Sequence, residues 1–285
     1  MREAVSADTL NDCLGKKTAQ WKSDQFATRF GRSTGLTEMR LNSATRLLGK
    51  LRCRVIDAIP AGETPKLLVI LNHGFGASGD DLADFGPMLI ESSDDIASRC
   101  RFVFPEAPID LSPMGMPGGR AWWPINMARL AEMNQTRDFD QLTLLEPPGL
   151  KEAAALLAET INAALAEVEL DETGLILGGF SQGAMVSTHV TLSQSIRPRL
   201  LAIFSGTLLH RNEWKRMAEQ HGGCAVLQSH GRQDPILPLI PAVQLKEILI
   251  ASGFKVEFME FNGPHTIPMN VLQRLQQRIE EQVAE

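Results

Sequence analysis

A short glycine-bounded turn limits the folds open to this chain more than any other feature. Residues 179–183 read GFSQG and follow the apolar run 175–177 closely. Because glycine lacks a β-carbon, Gly179 and Gly183 permit a turn too tight for other residues. A helical pattern begins near the second glycine. The order of strand, tight turn and helix predicts that Ser181 projects from the end of a buried strand.

Continuous apolar runs recur along the chain, separated by helical patterns. Such runs are typical of strands covered on both faces in a parallel sheet. They occupy residues 67–71, 102–104, 175–177, 200–204 and 225–227, and a last strand follows at 256–261. Helical patterns cover residues 150–168, the stretch from Pro241 to just before Gly253, and residues 267–283. We therefore predict an α/β fold with a mostly parallel central sheet, helices on both faces, and ligands at the carboxyl ends of the strands.

Ser181 is a candidate nucleophile. A serine hydroxyl is weak at neutral pH, so it needs a base, and the base needs an orienting carboxylate. In chains with this turn the acid and then the histidine follow the serine. Asp234 lies in the loop after the 225–227 strand, and His265 follows a Gly-Pro turn after the last strand. We predict that Ser181, Asp234 and His265 form a catalytic triad, while an aspartate that merely caps the turn before Pro235 is the alternative.

The other five histidines fit the position of the base less well. His73 precedes the serine, and His189 falls in the helix predicted after it. His210 and His221 come before the predicted acid, and His230 lies on the same loop as the acid. We interpret all five as structural residues or as neighbours of the site.

A glycine-rich loop follows the first central strand. Residues 73–79 read HGFGASG, and their glycines let the backbone approach a ligand closely. A loop at this position supplies one N–H group of an oxyanion hole, and the residue after the serine, Gln182, supplies the other. A phosphate-binding loop is the alternative. The chain lacks the GxxxxGK[ST] motif, and residues 74–76 lack the third glycine of a dinucleotide fingerprint, so we predict no nucleotide.

Residues 110–148 fit neither a strand period nor a helix period well, and they contain several prolines and glycines. Long irregular segments inside a compact domain are usually functional. We predict that this stretch is a cap-like loop over the site, with Trp122, Trp123 and Met127 binding substrate. Packing of the same three side chains in the core is the alternative.

Five motifs in a fixed order resemble the phospholipase/carboxylesterase family of α/β-hydrolases, which includes bacterial carboxylesterases and acyl-protein thioesterases. They are HGFG at 73–76, FPEAP at 104–108, GFSQGA at 179–184, HG through DP at 230–235 with Pro238, and PH at 264–265. The resemblance covers about residues 65–285. It implies the α/β-hydrolase fold, hydrolysis of esters or thioesters without a cofactor, and oxyanion amides from Phe75 and Gln182. Thioesterases usually carry aspartate where Ala77 stands, and GGRAWW at 118–123 is more similar to the bacterial carboxylesterases.

Composition excludes several other classes of protein. A hydrophobic fraction of 44% is enough for a sizeable core, and a net charge of −6 gives no general attraction to nucleic acid or anionic lipid. The four cysteines show neither C-x-x-C nor metal-ligand spacing, which is typical of reduced thiols. No run approaches the roughly 18 apolar residues of a spanning helix, and residues 1–17 lack the apolar core of a secretory signal. We predict a cytoplasmic protein without a metal, a membrane span or a nucleic-acid partner.

We divide the chain into an N-terminal extension or arm, residues 1–45, and a catalytic domain, residues 46–285. Near the start of that domain, Leu51, Cys53 and Val55 alternate with arginines, which predicts a half-buried edge strand. The predicted activity is cleavage of small or medium-chain carboxylic esters through an acyl-enzyme. The alternatives are lysophospholipase or acyl-protein thioesterase activity, acyl transfer to an acceptor other than water, and a non-catalytic binding module of the same fold. The complete triad disfavours the binding module. A homodimer also stays open.

Overall fold

The computed structural model describes residues 40–193 and 196–284, and an eight-stranded sheet forms the centre of this part of the chain. In chain order the strands are β1 (Asn42–Leu48), β2 (Leu51–Asp57), β3 (Leu67–Asn72), β4 (Cys100–Pro105), β5 (Ile109–Asp110), β6 (Arg120–Ala121), β7 (Leu175–Phe180), β8 (Leu200–Phe204), β9 (Ala225–Gly231) and β10 (Lys255–Phe261). The large sheet has the order β1-β2-β4-β3-β7-β8-β9-β10, and β5 pairs with β6 separately. The β1–β2 and β2–β4 pairs are antiparallel, and every other pair in the large sheet is parallel.

Helices connect the strands. They are α1 (Phe85–Ser92), α2 (Asp94–Arg99), α3 (Met127–Thr136), α4 (Phe139–Leu144), α5 (Leu150–Glu167), α6 (Gln182–Ser193), α7 (Arg211–His221), α8 (Leu239–Ala251) and α9 (Met269–Ala284). None of these helices is long and apolar enough to cross a membrane.

The two faces of the sheet carry separate hydrophobic clusters, because successive side chains of a strand point to opposite sides. In β3, Leu68 and Ile70 join the cluster packed against α5 and α6, whereas Leu67 and Val69 join the one packed against α1 and α9. Every residue of β3 is buried. The continuous apolar runs were therefore a correct sign of strands covered on both faces, and the predicted mostly parallel sheet with helices on both faces is confirmed.

The strand order reverses at β3. From β3 the chain moves outward to β4, and from β7, which pairs with β3 on its other side, it moves in the opposite direction to β8. The carboxyl ends of β3 and β7 therefore lie at the point where the strand order reverses, which is where ligands bind in open α/β sheets.

The strand predicted around Leu51, Cys53 and Val55 is present, but its predicted position at the edge of the sheet was wrong. It is β2, and β1 lies outside it in antiparallel register. Only Leu48 of β1 is buried, so the strand shows no apolar pattern that would predict it. It begins at Asn42, inside the segment 1–45 that we assigned to an extension. Residues 1–39 of that segment lie outside the described residues.

Residues 110–148 contain more regular structure than their sequence pattern predicts. The short β5–β6 pair is followed by α3 and α4. Each of these helices buries two residues, Leu130 and Met133 in α3 and Leu142 and Thr143 in α4. Neither therefore has an apolar stripe long enough to reveal a helical period.

Candidate active site

Ser181 lies at the tip of the turn between β7 and α6. Its φ of 53° falls in the left-handed region, which residues other than glycine, asparagine and aspartate seldom adopt. Its N–H donates to the Phe204 carbonyl at 2.9 Å, and its carbonyl accepts from the Met185 N–H at 3.1 Å. Bonds to β8 and α6 thus hold a backbone conformation that costs about 1–3 kcal/mol. This is the geometry of a nucleophile elbow.

The glycines of this turn lie against the end of β3 with no room for side chains. A β-carbon on Gly179 or on Gly183 would overlap the Asn72 carbonyl. A β-carbon on Gly74, just past the end of β3, would lie 3.3 Å from the β-carbon of Ser181. The elbow and the glycine-rich loop after β3 are therefore in direct contact.

Asp234 lies in the loop after β9 and has a fully buried side chain. Its Oδ1 atom accepts the backbone N–H groups of Ile236 and Leu237, both at 2.9 Å. Its Oδ2 atom lies 2.6 Å from Nδ1 of His265. Hydrogen bonds on both oxygens orient the carboxylate and compensate for its burial.

His265 lies in the loop after β10, close to the elbow. A β-carbon on Gly231, at the end of β9, would overlap the carbonyls of Gly263 and Pro264, so the acid loop and the histidine loop meet closely. The imidazole ring packs against Phe180, the neighbour of Ser181, with centroids 4.7 Å apart. Its Nε2 atom is buried and has no hydrogen-bond partner among the described residues. The three predicted triad residues thus lie at one corner of the sheet.

Two other histidines are buried and structural. Burial lowers the pKa of His73 and of His189 to about 4, so both rings are neutral near pH 7. His189 accepts the indole N–H of Trp214 at Nδ1, 3.1 Å away, within the core behind α6. His73 accepts the Ala107 N–H at Nε2 and lies 2.8 Å from the Gly74 carbonyl at Nδ1. Those two bonds fix the start of the glycine-rich loop.

His230 lies beneath the predicted acid. Its Nε2 atom lies 2.7 Å from the Leu237 carbonyl and 3.4 Å from Oδ2 of Asp234. Burial lowers its pKa, although the adjacent carboxylate opposes that effect. His210 precedes α7 and faces Glu146 at 3.4 Å.

The two backbone N–H groups predicted for the oxyanion hole belong to Gln182 and Phe75. Gln182 begins α6, and the N–H groups of a helix's first turn have no partner within the helix. The Phe75 N–H donates to none of the described residues. The Phe75 side chain packs with Leu111 and Ala121 in a small apolar cluster.

Trp122 has contacts that sequence reasoning missed. Its backbone N–H donates to Oε1 of Gln182 at 2.8 Å, and its indole N–H donates to the His73 carbonyl at 3.0 Å. The Gln182 Nε2 group in turn donates to the Trp123 carbonyl at 2.8 Å. A buried indole N–H usually finds a partner, but that general signal does not identify which one.

An apolar cavity of about 180 Å³ lies beside the elbow, beneath α3 and α4. Its mainly apolar walls include Trp123, Leu130, Met133, Leu142, Leu145, Met185 and Leu237. Met185 lies one helical turn after Ser181 on α6, while Ser181 itself does not line the cavity.

The three side chains predicted to bind substrate have different positions. Trp123 lines the cavity. Trp122 is fully buried and faces the glycine-rich loop instead. Met127 packs against the cluster that contains Phe75.

A model of the phospholipase/carboxylesterase family matches residues 56–283. The chain belongs to the phospholipase/carboxylesterase family. The match begins within β2 and runs through α9, so it spans the elbow, the acid loop, the histidine loop and the walls of the cavity.

Relatives and solved structures agree with this assignment. Acyl-protein thioesterase 1 of Candida albicans is 28% identical over 214 residues, which cover 72% of this chain and 87% of the relative. Acyl-protein thioesterase 1 of Debaryomyces hansenii is 28% identical over 221 residues, or 74% and 89% of the two chains. The crystal structure of esterase PE8 is 26% identical, with a TM-score of 0.64 over 78% of this chain and 95% of its own. A carboxylesterase from Mesorhizobium loti also has a TM-score of 0.64, at 17% identity over 84% and 99% of the chains, which supports the fold alone.

The predicted family and the α/β-hydrolase fold are therefore confirmed. The chain is therefore a hydrolase of ester or thioester bonds with this fold.

Proposed function

We propose that this chain is a serine esterase in which Ser181, His265 and Asp234 form the catalytic triad. The observation that carries the proposal is the 2.6 Å contact between Nδ1 of His265 and Oδ2 of Asp234, next to a serine in an elbow. A carboxylate at Nδ1 keeps a proton on that nitrogen, so Nε2 retains its lone pair and can accept the serine proton.

In the first step, the Ser181 hydroxyl attacks the ester carbonyl carbon while Nε2 of His265 takes its proton. The carbonyl oxygen becomes an oxyanion and accepts hydrogen bonds from the backbone N–H groups of Phe75 and Gln182. The tetrahedral intermediate then expels the alcohol, which receives the proton from His265. The acyl group remains on Ser181 as an ester.

In the second step, water replaces the alcohol. His265 takes a proton from the water as its oxygen attacks the acyl-enzyme carbonyl, and the same two N–H groups bind the new oxyanion. Collapse of this intermediate releases the carboxylic acid and returns the proton to Ser181. Asp234 stays ionised throughout and stabilises the imidazolium that forms twice in the cycle.

The cavity beside the elbow supports a short or medium acyl chain, or an aromatic acyl group. It measures about 180 Å³. Since an apolar cavity of about 150 Å³ binds benzene, a group of about six to eight carbon atoms fills a space of this size. Trp123 is the side chain from the sequence prediction that we assign to this group. Residues 123–148 then act as the cap, because they supply most of the walls.

Thioester hydrolysis is the second candidate, favoured by the similarity to fungal proteins named acyl-protein thioesterase 1. The triad would act in the same way and would expel a thiol in place of the alcohol. A long fatty acyl chain extends beyond a cavity of about 180 Å³. The dimensions of the cavity therefore favour esters of shorter acids.

A substrate panel tests the proposal. It consists of p-nitrophenyl esters of increasing chain length, a lysophospholipid and a long-chain acyl-thioester. We expect the highest kcat/KM at about six to eight acyl carbons, because that length fills the cavity. Faster turnover of the thioester or the lysophospholipid than of every p-nitrophenyl ester would favour the alternatives. Undiminished activity in Ser181→Ala would contradict the triad itself.

A further inference from the structure

Trp122 uses both of its N–H donors to join two separate loops. The backbone N–H binds the Gln182 side chain at the start of α6, and the indole N–H binds the His73 carbonyl at the start of the glycine-rich loop. These loops carry the two N–H groups assigned to the oxyanion hole. One residue therefore contacts both sides of the hole while it lies outside the cavity that takes the acyl group.

The Gln182 side chain is held from both ends. It is fully buried, its Oε1 atom accepts from Trp122, and its Nε2 group donates to the Trp123 carbonyl. The side-chain amide thus hydrogen-bonds to the backbone of two consecutive residues, Trp122 and Trp123, and both of its polar atoms have a partner. Because the side chain and the oxyanion N–H belong to the same residue, this pairing also restrains the position of that N–H.

The opposite side of the hole is restrained just as closely. His73 receives the indole N–H of Trp122 on its carbonyl. Its ring accepts the Ala107 N–H at 3.1 Å and contacts the Gly74 carbonyl at 2.8 Å. Since burial keeps the imidazole neutral, the ring retains the tautomer that these two bonds require. Phe75 follows directly after this restrained dipeptide.

We propose that Trp122 is a positioning residue that sets the separation of the Phe75 and Gln182 N–H groups and does not touch the substrate. The inference rests on the proposed function, since it needs the oxyanion hole described there. Oxyanion donors must lie about 2.7–3.1 Å from the oxygen that develops charge. A displacement of about 1 Å in a catalytic group can cost about a hundredfold in rate.

Trp214 offers a matched control for Trp122. Both tryptophans are fully buried, and each donates one indole N–H to a histidine, Trp122 to the His73 carbonyl and Trp214 to the His189 ring. The tryptophan and histidine ring centroids are 6.0 Å apart in one pair and 6.3 Å in the other. Trp214 lies on α7 and does not line the cavity. Phenylalanine at either position removes one buried hydrogen bond and keeps an aromatic ring.

The experiment compares Trp122→Phe with Trp214→Phe. For Trp122→Phe we expect kcat to fall about tenfold to a hundredfold with little change in KM, because the lost restraint acts on the transition state. Binding of a trifluoromethyl ketone, which forms an oxyanion on the serine, should weaken by the same factor as kcat/KM. For Trp214→Phe we expect a similar fall in melting temperature, with kcat within about twofold of the wild type.

Equal kcat values for the wild type and a folded Trp122→Phe would overturn the inference. If Trp122→Phe does not fold, Gln182→Met replaces it, because methionine keeps the length of the side chain and removes both hydrogen bonds; unchanged kcat there has the same meaning. Labelling of wild-type Ser181 by a fluorophosphonate separates the two proposals. If wild-type Ser181 is labelled and the Trp122→Phe variant keeps the wild-type kcat, only the role of Trp122 is contradicted. If wild-type Ser181 is not labelled and Ser181→Ala remains active, the proposed function is contradicted.

Discussion

Asp234 binds His265 with one carboxylate oxygen and a backbone turn with the other. Oδ2 lies 2.6 Å from Nδ1 of the histidine, and Oδ1 accepts two N–H groups at 2.9 Å. The acid is therefore oriented before any substrate arrives. This arrangement, together with the elbow, determines most of the chemistry that we expect.

Asp234→Asn should lower kcat by a factor on the order of 10⁴, because an amide can donate to Nδ1 and stabilise the wrong tautomer of His265. His265→Ala should cause a loss of similar size, since it removes the base. Asp171→Asn is a matched control, because Asp171 also accepts a backbone N–H but lies in the turn before β7, at the other end of that strand. Near-normal turnover in Asp234→Asn would mean that another carboxylate orients the base.

Ser181 should react stoichiometrically with a fluorophosphonate, since an activated hydroxyl attacks phosphorus as it attacks an ester carbon. Mass spectrometry of the labelled peptide checks the position. The label should be absent from Ser181→Ala. A label retained by that variant would place the nucleophile elsewhere.

Leu142→Ala should move the preferred acyl chain towards greater length. Leu142 is buried and lines the cavity from α4, so its truncation enlarges the space. We expect kcat/KM for a longer ester, relative to a shorter one, to rise about tenfold, which is about 1.4 kcal/mol and within the range for one methylene. The measurement is the ratio across the p-nitrophenyl ester panel.

Leu157→Ala is the control for that change. Leu157 is buried in α5 and does not line the cavity. Both variants should lose about 2–5 kcal/mol in free energy of unfolding, as buried leucines commonly do. Only the Leu142 variant should alter chain-length preference, and an equal effect in both would contradict the assignment of the cavity.

The free energy of unfolding should decrease as the pH falls from about 6.5 to about 4. Over this range the unfolded chain protonates its histidines, while the folded chain keeps His73 and His189 neutral because burial lowers the pKa of each to about 4. Each contributes on the order of 3 kcal/mol across that window. Urea unfolding at several pH values measures the effect.

His189→Asn should reduce this dependence on pH. Asparagine keeps an oxygen near the position of Nδ1 to accept the Trp214 indole N–H, but it does not titrate. Trp214→Phe removes the same hydrogen bond and retains the histidine, so it should keep the wild-type dependence. A His189→Asn variant whose stability falls as steeply as that of the wild type would contradict the prediction.

The fold was predictable because its central strands contain continuous apolar runs and are buried along most of their length. Leu67–Asn72 is buried throughout, and the turn around Ser181 needs glycines that the sequence displays. The chain order of Ser181, Asp234 and His265 then limits the candidates for the triad. Strand β1 could not be predicted in this way, because six of its seven residues are exposed and carry no apolar pattern.

The contacts of Trp122 could not be read from the sequence. Its N–H reaches a glutamine 60 positions away along the chain, and no periodicity connects the two. The same holds for the cavity, whose walls combine residues from α3, α4, α6 and the acid loop. Sequence patterns report which faces of helices and strands are buried, and they do not report which loops meet at the end of a sheet.

Most of the cavity wall comes from one uninterrupted stretch, residues 123–148. That stretch contains none of Ser181, Asp234 and His265, and it contributes no strand to the large sheet. Under the proposed function, acyl specificity therefore depends on a stretch of chain that is separate from the residues proposed for catalysis. We expect that an exchange of residues 123–148 for the corresponding stretch of another family member changes the acyl preference and leaves Ser181, Asp234 and His265 in place.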